Sequence, residues 1–147
     1  MTNYISTELW LSSQVLVAVL LGAVLGWQRS RWGKSAGTRT YALVAGGAAL
    51  FTILSRTGFG TPAGGSGVAA GIVTGIGFLG AGIIFHREDR IDGLTTAAGL
   101  WASAAIGMAV GMDYYILSIL TTLLVFLVLS LDEQRWQTNG TKLLKDK

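Results

Sequence analysis

Long charge-free stretches dominate the chain, at 9–28, 40–55, 57–85, 93–112 and 114–131. Every one of the 11 basic and 8 acidic residues lies between or beyond them. A helix needs roughly 20 apolar residues, in a range of about 17–25, to cross a bilayer. The pattern predicts five transmembrane helices at about 9–26, 40–55, 68–85, 93–112 and 114–131. The expected fold is therefore an all-α, polytopic membrane protein, with a short tail at 132–147. The second span is the shortest and draws on Gly37 and Thr38, or on residues past Arg56, to complete its crossing. Between spans two and three, Pro62 and five glycines predict an external loop at 56–67. The first span follows Glu8 and runs into Trp27 and Arg29, which is not the pattern of a cleaved leader.

Five spans place the chain ends on opposite sides. Arg29, Arg31, Lys34 and Arg39 fall between spans one and two, Arg87 and Arg90 between three and four, and Arg135, Lys142, Lys145 and Lys147 after five. These segments share one side and hold 10 of the 11 basic residues, with Arg56 alone opposite. The bias predicts an external N-terminus and a cytoplasmic tail. Trp10, Trp27, Trp32, Tyr41, Tyr114, Tyr115 and Trp136 sit near predicted span ends, where amphipathic rings prefer to lie.

Composition narrows the function. Charged residues make up 13% of the chain, about half of what a soluble domain carries, which argues against a soluble enzyme. With no cysteine and one histidine, His86, there is no disulfide framework and no Cys-type or two-histidine metal site. The sequence pI near 9.5 reflects membrane topology, so nucleic acid is not an expected partner. No nucleophile–base pair or nucleotide loop is visible, so neither catalysis nor a resident cofactor is expected.

The 21 glycines are ordered. Transmembrane helices associate largely by close packing at small residues, and residues four apart share a helix face. Gly22 and Gly26 supply one such step in span one. Gly67, Gly71 and Gly75, then Gly77, Gly80 and Gly82, mark span three, and Thr95, Gly99, Ser103, Gly107 and Gly111 form a ladder in span four. Spans three and four are expected to be central and tightly packed, and span five to face lipid. Gly75-Ile-Gly77-Phe-Leu-Gly80 matches a dinucleotide fingerprint, but it lies inside an apolar helix and lacks the acidic residue that fingerprint needs. Asn139-Gly140-Thr141 matches a glycosylation sequon on the side expected to be cytoplasmic, where it has no role.

Read in order, GIGFLGAGIIF at 75–85, IDGLTTAAGLW at 91–101 and AAIGMAVG at 104–111 resemble the transmembrane domain of the MgtC/SapB family of bacterial inner-membrane proteins. LLGAVLGWQRSR at 20–31 and AGTRTYALVAGGAALFT at 36–52 extend the resemblance, which covers roughly 16–115. It implies five helices with the N-terminus outside. MgtC proteins are linked to growth at low magnesium, to survival inside host cells and to inhibition of the F-type ATP synthase; the resemblance makes that synthase the family-based candidate partner, while the host-cell functions are not carried over to this chain. The chain departs from the family at several positions. Gln28 and Ser30 stand where acidic residues are common, and Thr95 and Ala102 where the virulence-associated branch has Asn and Cys. The tail ends within 16 residues of Leu131, where many members carry a globular domain. The likeness is therefore to the SapB side, as a non-enzymatic regulator. The alternative is a small channel or transporter assembled as a homo-oligomer.

Charged groups inside a bilayer usually mark ion pathways, and the predicted spans carry none. Their polar content is Gln14 and hydroxyls such as Thr52, Thr95, Thr96 and Ser103. Mg²⁺ needs octahedral oxygen ligands, usually with one or two carboxylates. The candidates are Glu88, Asp89 and Asp92, in the turn between spans three and four, which could serve as weak Mg²⁺ ligands or partner contacts. His86 in the same turn reads as an interfacial side chain. Arg29, Arg31 and Arg39 face the same compartment, as lipid contacts or as partners of that acidic turn. The sharpest expectation is an ionic lock between Arg39 and Asp92 or Asp89.

Overall fold

The computed structural model describes residues 2–58, 62–87 and 90–143. It contains five helices, α1 (Thr2–Arg31), α2 (Thr38–Gly58), α3 (Pro62–Ala81), α4 (Leu94–Gly111) and α5 (Tyr115–Leu143). A two-stranded hairpin, β1 (Phe85–Arg87) and β2 (Arg90–Asp92), links α3 to α4. Among the described residues, two stretches are long and apolar enough to cross a membrane by length and composition, Tyr4–Arg31 and Leu94–Gly111. Ser66–Ala81 and Tyr115–Leu131 are shorter apolar stretches. Large apolar side chains such as Leu43, Phe78, Ile116 and Leu124 point outward and are exposed, a surface that suits lipid and not water.

Three helices make the core. Along α1, Gln14, Ala18, Gly22, Leu25 and Arg29 are buried in one stripe. The facing stripe of α2 is Tyr41, Ala45, Ala48, Ala49 and Thr52, and that of α4 includes Gly99, Ser103, Gly107 and Gly111. All three repeat every three or four residues, the period of one helix face. Small residues set the spacing. A Cβ on Gly22 would stand 2.8 Å from the Ala45 Cβ, one on Gly107 would strike the Ala45 carbonyl, and one on Gly111 would stand 2.8 Å from the Ala49 carbonyl oxygen. Ala45 thus takes α1 on one side and α4 on the other, and α2 is the hub.

Several expectations are corrected. Span three was expected over 68–85 with a loop before it; instead α3 opens at Pro62 and ends at Ala81. Proline is tolerated in a helix's first turn because its missing N–H would have no partner there. The glycine-rich segment is thus helical from Pro62 onward. The link between α3 and α4 is not a simple turn but an antiparallel pair in which Phe85 faces Asp92 and His86 faces Ile91. Nor does helix end at Leu131: α5 continues to Leu143, through Glu, Gln and Arg, which are good helix formers. Most consequentially, α3 is not tightly packed. At Gly67, Gly71, Gly75 and Gly77 an added Cβ would meet no atom within 4 Å. A Cβ on Gly80 would come within 3.4 Å of the Ala97 Cβ on α4.

Candidate functional site

Arg29 closes the buried stripe of α1 and is only 2% exposed. A guanidinium is seldom so enclosed unless its surroundings supply acceptors. Its Nη2 donates to Thr96 Oγ1 at 3.2 Å, across to the first turn of α4. The Tyr41 hydroxyl, wholly buried on α2, donates to the Thr96 carbonyl at 3.3 Å. Two turns further along α4, Ser103 Oγ donates to the Tyr41 carbonyl at 3.0 Å. Gly99 lies between them, and a side chain there would occupy the place of the Tyr41 hydroxyl. Arg29, Tyr41, Thr96 and Ser103 thus form one polar layer that joins α1, α2 and α4 inside the bundle. Low dielectric strengthens such bonds and makes an unmet one costly.

The layer extends to its neighbours. Gln28 Nε2 donates to the Phe126 carbonyl at 3.3 Å and to Ser130 Oγ, fastening α1 to α5. Ser30 Oγ accepts the Thr38 amide at 2.9 Å and lies 3.1 Å from Thr38 Oγ1, which fixes the start of α2. Arg31 turns outward, with its guanidinium 4.5 Å from the centre of the Trp27 ring, a cation–π geometry.

Of the residues proposed from sequence, the structure brings Arg29 and Thr96 together, and Gly107 meets Ala45. The lock expected from Arg39 to Asp92 is not formed. The Arg39 side chain is exposed and lines a cleft between α2 and α3. The reason is helical phase: Arg39 precedes core-facing Tyr41 by two residues, a rotation of roughly 200° around α2. Asp89, the other proposed partner, lies outside the described residues, as does Glu88. Asp92 is half-buried at the end of β2, Thr95 is half-buried, and His86 is exposed. Among the described residues no cluster of three His, Cys, Asp or Glu side chains stands ready for a metal.

A second cluster, which the sequence pattern does not predict, lies at the other end of the bundle. Asp113 occupies the break between α4 and α5 with φ 65°, a left-handed conformation that Asp tolerates better than most residues. Its carboxylate accepts from buried Gln14 Nε2 at 2.5 Å, pairs with Arg56 at the end of α2, and accepts from the Tyr115 hydroxyl at 3.3 Å. The Trp10 and Tyr115 rings meet in a T-shaped pair with centroids 6.2 Å apart. One clue was available in the sequence: Arg56, the lone basic residue expected on that side, and Asp113 each sit at the end of a span.

The MgtC family profile matches residues 15–136, from the buried stripe of α1 into α5. The chain belongs to the MgtC family. Membership and the apolar helices together make it a membrane protein. YhiD of Escherichia coli (strain K12), a candidate magnesium transporter, is 43% identical over 130 residues, covering 82% of this chain and 59% of YhiD. SrpB of Synechococcus elongatus is 39% identical over 135 residues, 83% of this chain and 74% of SrpB. MgtC of Salmonella typhimurium (strain LT2) is 44% identical over 111 residues, 76% of this chain and 47% of MgtC. The chain thus spans well under two thirds of YhiD and about half of MgtC. No solved structure matches it.

Proposed function

We propose that this MgtC-family protein spans the bacterial inner membrane five times, with its N-terminus outside, and acts as a non-enzymatic regulator in magnesium homeostasis. The relationship to YhiD, a candidate magnesium transporter, supports the magnesium link. The observation that carries the regulatory reading is the closed core. Gly22, Gly107 and Gly111 bring α1 and α4 against the backbone and small side chains of α2, and Arg29, Tyr41 and Thr96 occupy the interior at one end. An aqueous path between these helices would have to part them, so the protein acts through its surfaces. A membrane complex such as the F-type ATP synthase is the proposed partner. Any Mg²⁺ contact is weak and confined to the turn that holds Glu88, Asp89 and Asp92.

The test has two arms. Purified protein in liposomes loaded with a Mg²⁺-sensitive dye should give no flux above empty liposomes. Crosslinking in native membranes at low magnesium should capture ATP synthase subunits. Flux that Gly107→Leu abolishes would instead favour the channel or transporter reading.

A further inference from the structure

The cleft between α2 and α3 has a volume of about 780 Å³, within the roughly 300–1,000 Å³ typical of ligand sites. Its walls are apolar side chains and glycines, with Leu43 and Phe51 on α2 and Gly71 and Gly75 on α3. At both of those glycines the Cβ direction is open for 4 Å. Polar side chains enter at one end only, from Arg39 and Thr40. Both are exposed, and no hydrogen bond or ion pair ties Arg39 to another described residue.

Length and charge narrow the occupant. From Arg39 to Phe51 is twelve residues, about 18 Å of helix. One leaflet of a hydrocarbon core about 30 Å thick is about 15 Å deep. The cleft therefore matches one leaflet, whereas a helix of a second copy would run the full thickness. We propose that it holds one acyl chain of an anionic phospholipid, whose headgroup phosphate is bound by Arg39 and Thr40. The chain lies along the glycine-lined wall of α3, and the guanidinium meets the phosphate at the membrane surface, where such charge-assisted contacts are favourable. The inference requires only that the protein reside in a bilayer; it does not depend on the regulatory role.

Native mass spectrometry of the full chain in detergent, titrated with phosphatidylglycerol and phosphatidylcholine of identical acyl chains, tests it. The wild type should carry one lipid per chain and prefer phosphatidylglycerol about five-fold. Arg39→Gln should bring the two lipids to parity while still binding both. Gly75→Leu should remove both adducts with the melting temperature unchanged. Gly47→Leu, whose Cβ position on the α2 wall is equally open, serves the same purpose if Gly75→Leu does not fold. Equal binding of the two lipids by the wild type overturns the proposal, as do adducts that persist in a folded groove-filling variant. A dimer that Gly75→Leu dissolves, with no lipid adduct in the wild type, would overturn it in favour of a second copy.

Discussion

α3 and α4 both carry small residues four apart, and both are strongly apolar, yet they sit in the molecule differently. Along α4, Gly99 clears the Tyr41 hydroxyl, Ser103 bonds the Tyr41 carbonyl, Gly107 faces the Ala45 carbonyl, and Gly111 faces Ala49 and Thr52. Each of these rungs meets the buried stripe of α2, Gly99 and Ser103 at Tyr41, Gly107 at Ala45 and Gly111 at Ala49 and Thr52. Along α3, Gly67, Gly71 and Gly75 repeat at the same interval, and an added Cβ at any of them would meet nothing within 4 Å. A small-residue ladder permits close approach but does not select a partner. Selection needs a facing stripe of matching period, and the residues 41, 45, 49 and 52 of α2 are already taken by α4 and α1.

The largest expected effect sharpens that contrast directly. Gly107→Leu would drive a side chain into the backbone of α2, and overpacking of this kind costs about 3 kcal/mol or more where backbone must move. Gly75→Leu should change stability by about 0.5 kcal/mol or less, as exposed substitutions do. Thermal denaturation followed by size-exclusion in one detergent checks both. Equal loss would mean that α3 packs as closely as α4, and the contrast would be void.

How far the sequence reveals this depends on what ends each helix. For α4, expected at 93–112 and found as Leu94–Gly111, the stops are local: Gly93 with φ 91° and Asp113 with φ 65°. An added Cβ on Gly93 would also strike the Ile83 carbonyl, so the turn itself requires glycine. For α1 and α5 the charge-free run measures only the apolar segment, and the helix continues through Arg31 and past Leu131 because nothing there breaks it. The α4 ladder was legible because period alone reveals a face. Arg29 was legible in principle too, since it lies seven residues, two full turns, beyond Gly22 on the same stripe. Its basic neighbours Arg31, Lys34 and Arg39 made it look like part of a surface patch. Which arginine turns inward is a question of helical phase, and charge counting does not see phase.

That distinction yields the next predictions. Arg29→Ala would empty a buried site and leave Thr96 without its donor, a loss on the order of 3 kcal/mol, as for breaking a buried charged contact. Arg39→Ala, on the open side of α2, should cost less than about 0.5 kcal/mol. Detergent melting temperatures of the two variants, measured side by side, should differ accordingly; a reversal would place Arg39 in the core. A smaller effect is expected at the other end. The Arg56–Asp113 pair is partly exposed, at 32% and 42%, so Arg56→Gln should cost at most about 1 kcal/mol. Asp113→Ala also strips buried Gln14 of its acceptor and should cost about 1–3 kcal/mol. A double-mutant cycle of Arg56→Gln with Asp113→Ala separates the ion pair from the Gln14 bond.

The smallest effect tests the one point where α3 does touch α4 through a glycine. The Cβ of Gly80→Ala would arrive 3.4 Å from the Ala97 Cβ, at the near edge of ordinary contact, so α3 need give little. Glycine-to-alanine exchange in a helix gains about 0.5–1 kcal/mol from backbone conformational restriction. Contact strain and this gain are of similar size, and α3 has room to yield, since a Cβ at Gly67, Gly71, Gly75 or Gly77 would meet no atom within 4 Å. Gly80→Ala should therefore leave stability unchanged or raise it by up to about 0.5 kcal/mol. Gly99→Ala, the same exchange in α4, would displace the Tyr41 hydroxyl and with it the bond to Thr96. Its stability should fall by about 1–3 kcal/mol. Matched chemical-denaturation curves decide the matter: if Gly80→Ala falls as far as Gly99→Ala, α3 is held as rigidly against α4 as α4 is against α2, and the contrast between the two ladders fails.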